Sequence, residues 1–257
     1  MRAELTLPLS TLYGFLLVLA RVAGAFVFVP LPGVNRGPEM SRPSLALAIT
    51  VALFPLWPEV QTGGYQVGRL AGWLLAEAAL GMTIGLAVGF VAEAFQVAAQ
   101  LMGMQAGFAY ASVIDPTTQA DSSVLLVLAQ LTAGLLFFSL GLDREVIRIF
   151  ARSLEQYPPA AFTLSPRIAG SILHLAAGMF SVGLRLALPV VALMALVDLA
   201  LALFGRLNAQ LQLLSLAFPV KILAALALLA WVATLYPRVY RDFAAQSLRT
   251  ATAVLGF

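Results

Sequence analysis

Residues 67–109 run for about 43 positions without a helix-breaking signal, which is ~64 Å of helix at ~1.5 Å per residue. The hydrocarbon core of a bilayer is only ~30 Å thick. Such a helix must break, leave the bilayer, or sit in an assembly where lipid is not the boundary. Its two halves differ. In the first, Gly81, Gly85 and Gly89 recur every fourth residue and so lie on one face, where a second backbone can approach closely. Glu77 lies one turn before Gly81 on that face. In the second half, Glu93, Gln96, Gln100 and Met104 fall at three- and four-residue spacing and form a polar stripe. That stripe fits either a solvated or amide-bonded interface or the wall of a water-filled conduit. The run ends at Asp115-Pro116, because the residue before proline is pushed out of the α region.

The flanking sequence is membrane-like. Of 257 residues, 61% are hydrophobic and 11% charged, against about 45–50% and about 25% in soluble domains. With several apolar runs near 20 residues, this predicts an all-α, polytopic helical membrane protein forming one unit. The chain has no cysteine and one histidine, His174. Disulfides, thiolate metal sites, cysteine nucleophiles and multi-histidine zinc sites are therefore excluded. No Ser/His pairing has useful spacing, and Asp115, Asp121 and Asp198 are too scattered for paired-carboxylate chemistry. No catalytic residue, cofactor or metal is expected. The net charge of +3 comes from scattered arginines rather than from a basic, aromatic-rich patch, so no nucleic-acid partner is expected.

Six apolar segments are expected, arranged as helical hairpins. The first, residues 12–30, carries Arg21 at its centre. A lone arginine there costs roughly 2.5–3.5 kcal/mol on insertion scales, so it should face protein and pair with backbone carbonyls or a carboxylate such as Glu77 or Asp198. Arg21 and Glu4 also spoil a signal-peptide pattern ending near Ala25, and the run is read as a retained helix. A Pro- and Gly-rich connection precedes a short second segment, residues 45–57, which reads as a half-span. The third is the long run itself. The fourth, residues 124–142, follows the cap cluster Asp121, Ser122 and Ser123 and continues into an amphipathic stretch. The fifth, residues 168–201, holds Arg185, Pro189 and Asp198; the two charges are candidates to pair if Pro189 bends the helix. A polar break containing Arg206 leads to the sixth, residues 213–236, with Lys221 near its start. Nine Lys/Arg on the side of the termini against four on the other predict cytoplasmic termini.

Several motifs, in order, resemble the FliR family of flagellar type III export-gate proteins and its injectisome counterpart SctT. The N-terminal match is Arg21, Gly24, Pro30, Gly33, Pro38 and Arg42. The central one is Gly103, Met104, Gln105, Gly107 and Phe108, then Asp115-Pro116. Gly141, Ser153 and Pro158 follow, then Pro189, Asp198, Arg206, Gln210 and the run Phe218-Pro219-Val220-Lys221. The chain departs from the family pattern at Leu142 and Asp143, where a histidine is usual, and at Ala202, Ala209 and Gln212 around Arg206.

The resemblance implies a structural and gating subunit of the flagellar type III protein-export gate in the bacterial inner membrane. It implies a fused FliP-like plus FliQ-like unit, with residues 1–200 FliP-like and 201–257 within the FliQ-like hairpin. Implied partners are FliP-like, FliQ-like and FlhB-like subunits, unfolded export substrates and membrane lipid. The family's pore-closing plug corresponds to Phe108, Ala109, Tyr110, Ala111, Ser112, Val113, Ile114, Asp115 and Pro116. Its bulky apolar side chains would obstruct a pore, since apolar constrictions can gate by dewetting. Arg21, Glu77, Gly81, Gly85, Gly89, Arg185, Asp198, Arg206 and Lys221 are read as buried charge or packing positions. The alternative is a small secondary transporter using Arg21, Glu77, Arg185 and Asp198, but the inverted repeats usual in transporters are not visible in the sequence.

Overall fold

The computed structural model describes residues 8–31, 40–58, 67–106, 124–158, 161–163, 165–207 and 213–256. Among them the regular structure is helical. In chain order it comprises α1 (Leu9–Phe26), α2 (Ser41–Ala52), a 3-10 turn (Phe54–Leu56), α3 (Val67–Gln105), α4 (Val124–Ser139), α5 (Leu142–Gln156), α6 (Pro166–Leu207), α7 (Leu213–Ala233) and α8 (Tyr236–Leu255). The chain is an all-α polytopic membrane protein. Three helices are long and apolar enough to cross a membrane, or up to five spans if α4 with α5 and α7 with α8 each count as one bent span. Each of the six expected segments is helical, and α2, with only 12 residues, is well short of the ~20 that span a bilayer, as its half-span reading requires.

The chain divides into two compact units. The first comprises Met1–Gly89, Phe137–Leu175 and Ala244–Phe257. Here α1 packs against the first part of α3 with the two backbones in close approach. A Cβ on Gly81 or Gly85 would collide with the carbonyl oxygens of Arg21 or Ala25, and one on Gly89 would lie 2.8 Å from the Phe28 carbonyl oxygen. Gly24 returns the fit against the backbone of Ala78. The Arg42 guanidinium donates to the Phe26 and Val27 carbonyls, satisfying the open C-terminal end of α1 with a cation. In α5, Val146, Ile149, Phe150 and Ser153 are buried at helical spacing, while Glu145 and Arg148 pair on the exposed face. The turn before α5 needs Gly141, whose φ of 70° lies in the left-handed region.

The second unit comprises Phe90–Leu136 and Ala176–Phe243. The later part of α3 is its axis. Ala94 of α3 meets α6 at Gly183, where a Cβ would lie 2.8 Å from the Ala94 carbonyl oxygen. Phe95 packs on Tyr236 and Tyr240 of α8, each with ring centroids 5.1 Å apart. Ala99 joins Leu125 and Ala129 of α4, with Leu229 of α7 against them.

Candidate functional site

In the first unit, the features expected of Arg21, Glu77 and the glycine face meet at one point. Where the Arg21 carbonyl oxygen faces Gly81, its side chain reaches Glu77, one turn earlier on α3. Arg21 Nε donates to Glu77 Oε2 at 2.5 Å, Nη1 to Ser153 Oγ at 3.1 Å, and Nη2 to the Tyr157 carbonyl at 3.4 Å. Ser153 Oγ donates onward to the Phe150 carbonyl at 2.8 Å. Arg21 is 2% exposed and Glu77 1%. The guanidinium fork thus spends its donors on three separate groups, which is what a buried arginine needs. Tyr157 Oη donates to the Leu255 carbonyl at 2.8 Å, extending the network to the end of α8. Sequence left Glu77 and Asp198 as alternative carboxylates for Arg21; the structure has Glu77.

In the second unit, the stripe on α3 stands on the outside of the helix. Glu93, Gln100 and Met104 are exposed and Gln96 is half-buried. The opposite face, with Ala94, Phe95, Ala98 and Met102, is buried. Gln96 Nε2 donates to Glu93 Oε1 at 2.8 Å, and Gln96 Oε1 accepts from Gln130 Nε2 of α4 at 2.8 Å. A carboxylate and linked amides therefore form a polar ribbon on a helix otherwise apolar enough to span a membrane. Facing lipid, the Glu93 charge and the amide groups that these bonds leave unmet would be costly to bury; facing water or polar protein groups, they would not.

A second ion pair lies at the end of α3. Asp198 Oδ1 of α6 pairs with Lys221 Nζ of α7 at 2.7 Å, and Asp198 Oδ2 accepts from Gln105 Nε2 at 3.3 Å. The pair is not sealed: the side chains of Lys221 and Asp198 are 19% and 42% exposed. The Arg185–Asp198 pair, a candidate only if Pro189 bent the helix, is not formed, and Arg185 is not buried. Arg185 is exposed and makes no ion pair among the described residues. It sits thirteen positions from Asp198 on the same continuous helix, more than three turns away. Lys221, on the following helix, reaches instead. Arg206 is likewise exposed rather than buried. The expected plug residues, Phe108 to Pro116, lie outside the described residues.

Four contributing residues had no role assigned from local sequence pattern: Ser153, Tyr157, Gln105 and Gln130. Ser153 carried a legible signal, as the one polar residue in the apolar stripe of α5. The amides carried none, since a helical glutamine is ordinarily solvated. Among the described residues, no group of three or more His, Cys, Asp or Glu is placed to hold a metal ion.

The sequence pattern that defines Bacterial export proteins, family 1, matches residues 12–247. The flagellar biosynthetic protein FliR of Pectobacterium carotovorum subsp. carotovorum is 31% identical over 227 residues, covering 87% of this chain and 84% of that protein. FliR of Bacillus subtilis (strain 168) is 30% identical over 218 residues, 81% of each chain. The Yop proteins translocation protein T of Yersinia pestis is 25% identical over 222 residues, 83% of this chain and 82% of that one.

Proposed function

Because the chain belongs to the bacterial export proteins, family 1, we propose that it is a structural and gating subunit of the flagellar type III protein-export gate. The coarser part of this reading is a membrane component of a type III export apparatus, and it rests on the family and the named relatives. The finer part is that the chain contributes to the wall of a pore for unfolded substrates and supplies a plug that closes it.

The observation that carries the finer part is the polar ribbon on α3, with Glu93 and Gln100 exposed and Gln96 half-buried between them. The ribbon has hydrogen-bonding capacity and only one formal charge. An extended polypeptide passing along it would meet amide donors and acceptors but no fixed cation that would hold it. The helix then leads directly into residues 107–123, which include the plug proposed from Phe108 to Pro116. Phe108, Tyr110, Val113 and Ile114 give that stretch apolar bulk to exclude water, while Ala109, Ala111 and Ser112 make it cheap to displace. Opening then needs displacement by substrate and no covalent step.

The proposed partners are FliP-like, FliQ-like and FlhB-like subunits in a hetero-oligomer, with residues 1–200 taking a FliP-like position and 201–257 a FliQ-like one. The proposed location is the bacterial inner membrane, with cytoplasmic termini. Deleting residues 109–114 from the assembled gate tests the plug. The expected result is ion leakage across the membrane without loss of assembly. Unchanged leakage in a fully assembled gate would remove the plug from this account.

A further inference from the structure

A cavity of about 360 Å³ opens within the second unit between α4 and α7. That size falls within the ~300–1,000 Å³ of small-ligand sites. Leu125, Leu128 and Ala129 line it from α4, Leu226, Leu229 and Ala230 from α7. Only Thr132 and Tyr236 bring side-chain oxygens to the lining. A bound water needs two to four polar partners, so a wall this apolar is poorly suited to water or to a polar solute. Leu128 and Leu226 are about half exposed, so the cleft opens outward along two apolar helices.

One end of this cleft differs from the rest. Its lining finishes at Tyr236 and Pro237, where the apolar α7 gives way to α8. Trp231, just before that junction, is 56% exposed. Arg238 follows Pro237 directly, and Arg241 stands one turn further along the same helix; both are exposed. Asp242 beside them is also exposed and offsets part of this charge, leaving the end net basic. An exposed Trp followed by arginines marks the level where hydrocarbon gives way to headgroups. Basic residues at that level attract anionic lipid.

We infer that the α4–α7 cleft binds one acyl chain of an anionic phospholipid, whose phosphate is held by Arg238 and Arg241. The cleft accounts for the chain and the two arginines for the charge. A zwitterionic lipid such as phosphatidylcholine offers the same phosphate but offsets it with its own ammonium group, so it would satisfy the charge requirement less well.

The test is lipid retention by the full chain, purified with its partner subunits in nanodiscs of mixed phosphatidylglycerol and phosphatidylcholine and read by native mass spectrometry after delipidation. The expected result is retention of one phosphatidylglycerol per chain, with a preference over phosphatidylcholine of about tenfold or more. Arg238→Gln/Arg241→Gln should erase the preference, and Arg238→Lys/Arg241→Lys should keep it, which separates charge from folding. Ala230→Phe, which fills the cleft, should release both lipids. Equal retention of the two lipids, a preference that survives the double glutamine variant, or no retained lipid because a partner subunit covers the cleft would each overturn the inference.

Discussion

Each of the two compact units contains an ion pair between helices, and these two pairs are built in opposite ways. Arg21 and Glu77 are sealed, with side chains 2% exposed, and Arg21 has further partners in Ser153 and the Tyr157 carbonyl. Asp198 and Lys221 are partly open, and Asp198 shares its second oxygen with a neutral amide, Gln105. A sealed pair in which each guanidinium nitrogen has a partner has no cheap alternative arrangement, so it fixes how α1, α3 and α5 meet. A partly solvated pair can exchange a partner for water at little cost. The sealed pair stands where backbones touch through Gly81 and Gly85. The open one stands at the last residue of α3, where the chain enters the proposed plug. Rigidity and adjustability are thus assigned to different units by burial, not by charge type.

The sharpest way to break this comparison is to remove one side of the sealed pair. Glu77→Ala should cost about 3–5 kcal/mol, because Arg21 is left charged and buried without its partner. The check is thermal unfolding in detergent and the yield of assembled complex. The double variant Arg21→Met/Glu77→Leu should recover much of that loss, since no charge remains to strand. Next in size is Gly81→Leu. Its side chain has nowhere to go against the Arg21 carbonyl, and overpacking of this kind costs typically 1–3 kcal/mol or more. A cysteine cross-link between α1 and α3 that forms less readily in the variant would register the separation.

The open pair should respond far less. Asp198→Asn should change global stability by under about 1 kcal/mol, as expected for a partly exposed pair. Its effect should instead be local, as faster amide exchange over the last turn of α3, around residues 101–105. A global loss as large as that of Glu77→Ala would erase the distinction between the units. Smallest of all, Arg185→Gln should stay within about 0.5 kcal/mol, because the side chain is exposed and unpaired among the described residues.

Much of this architecture was legible because helices announce themselves in one dimension. The length of α3, its four-residue glycine repeat and its polar stripe are periodic features that need no tertiary knowledge. So is the amphipathic face of α5. A carboxylate partner for Arg21 followed from the cost of burying a lone charge, but choosing between Glu77 and Asp198 needed the packing. Glu77 has the advantage of lying one turn from Gly81, where the backbones converge. The Arg185–Asp198 expectation failed for a geometric reason. The pair depended on a bend at Pro189, and α6 instead runs as one continuous helix from Pro166 to Leu207, which keeps residues thirteen apart more than three turns from each other. Lys221 could not be chosen over other cations, since pairing across helices depends on rotation angles that hydropathy does not encode. The α4–α7 cleft was equally invisible, being a gap between two helices that each read as uniformly apolar.

The most direct test of the central claim is native mass spectrometry of the tagged chain co-expressed with the FliP-like, FliQ-like and FlhB-like proteins of its own genome. The account predicts a discrete hetero-oligomer that contains this chain and loosens in Glu77→Ala. A monodisperse monomer or homodimer, with those partners present and stable, would contradict it.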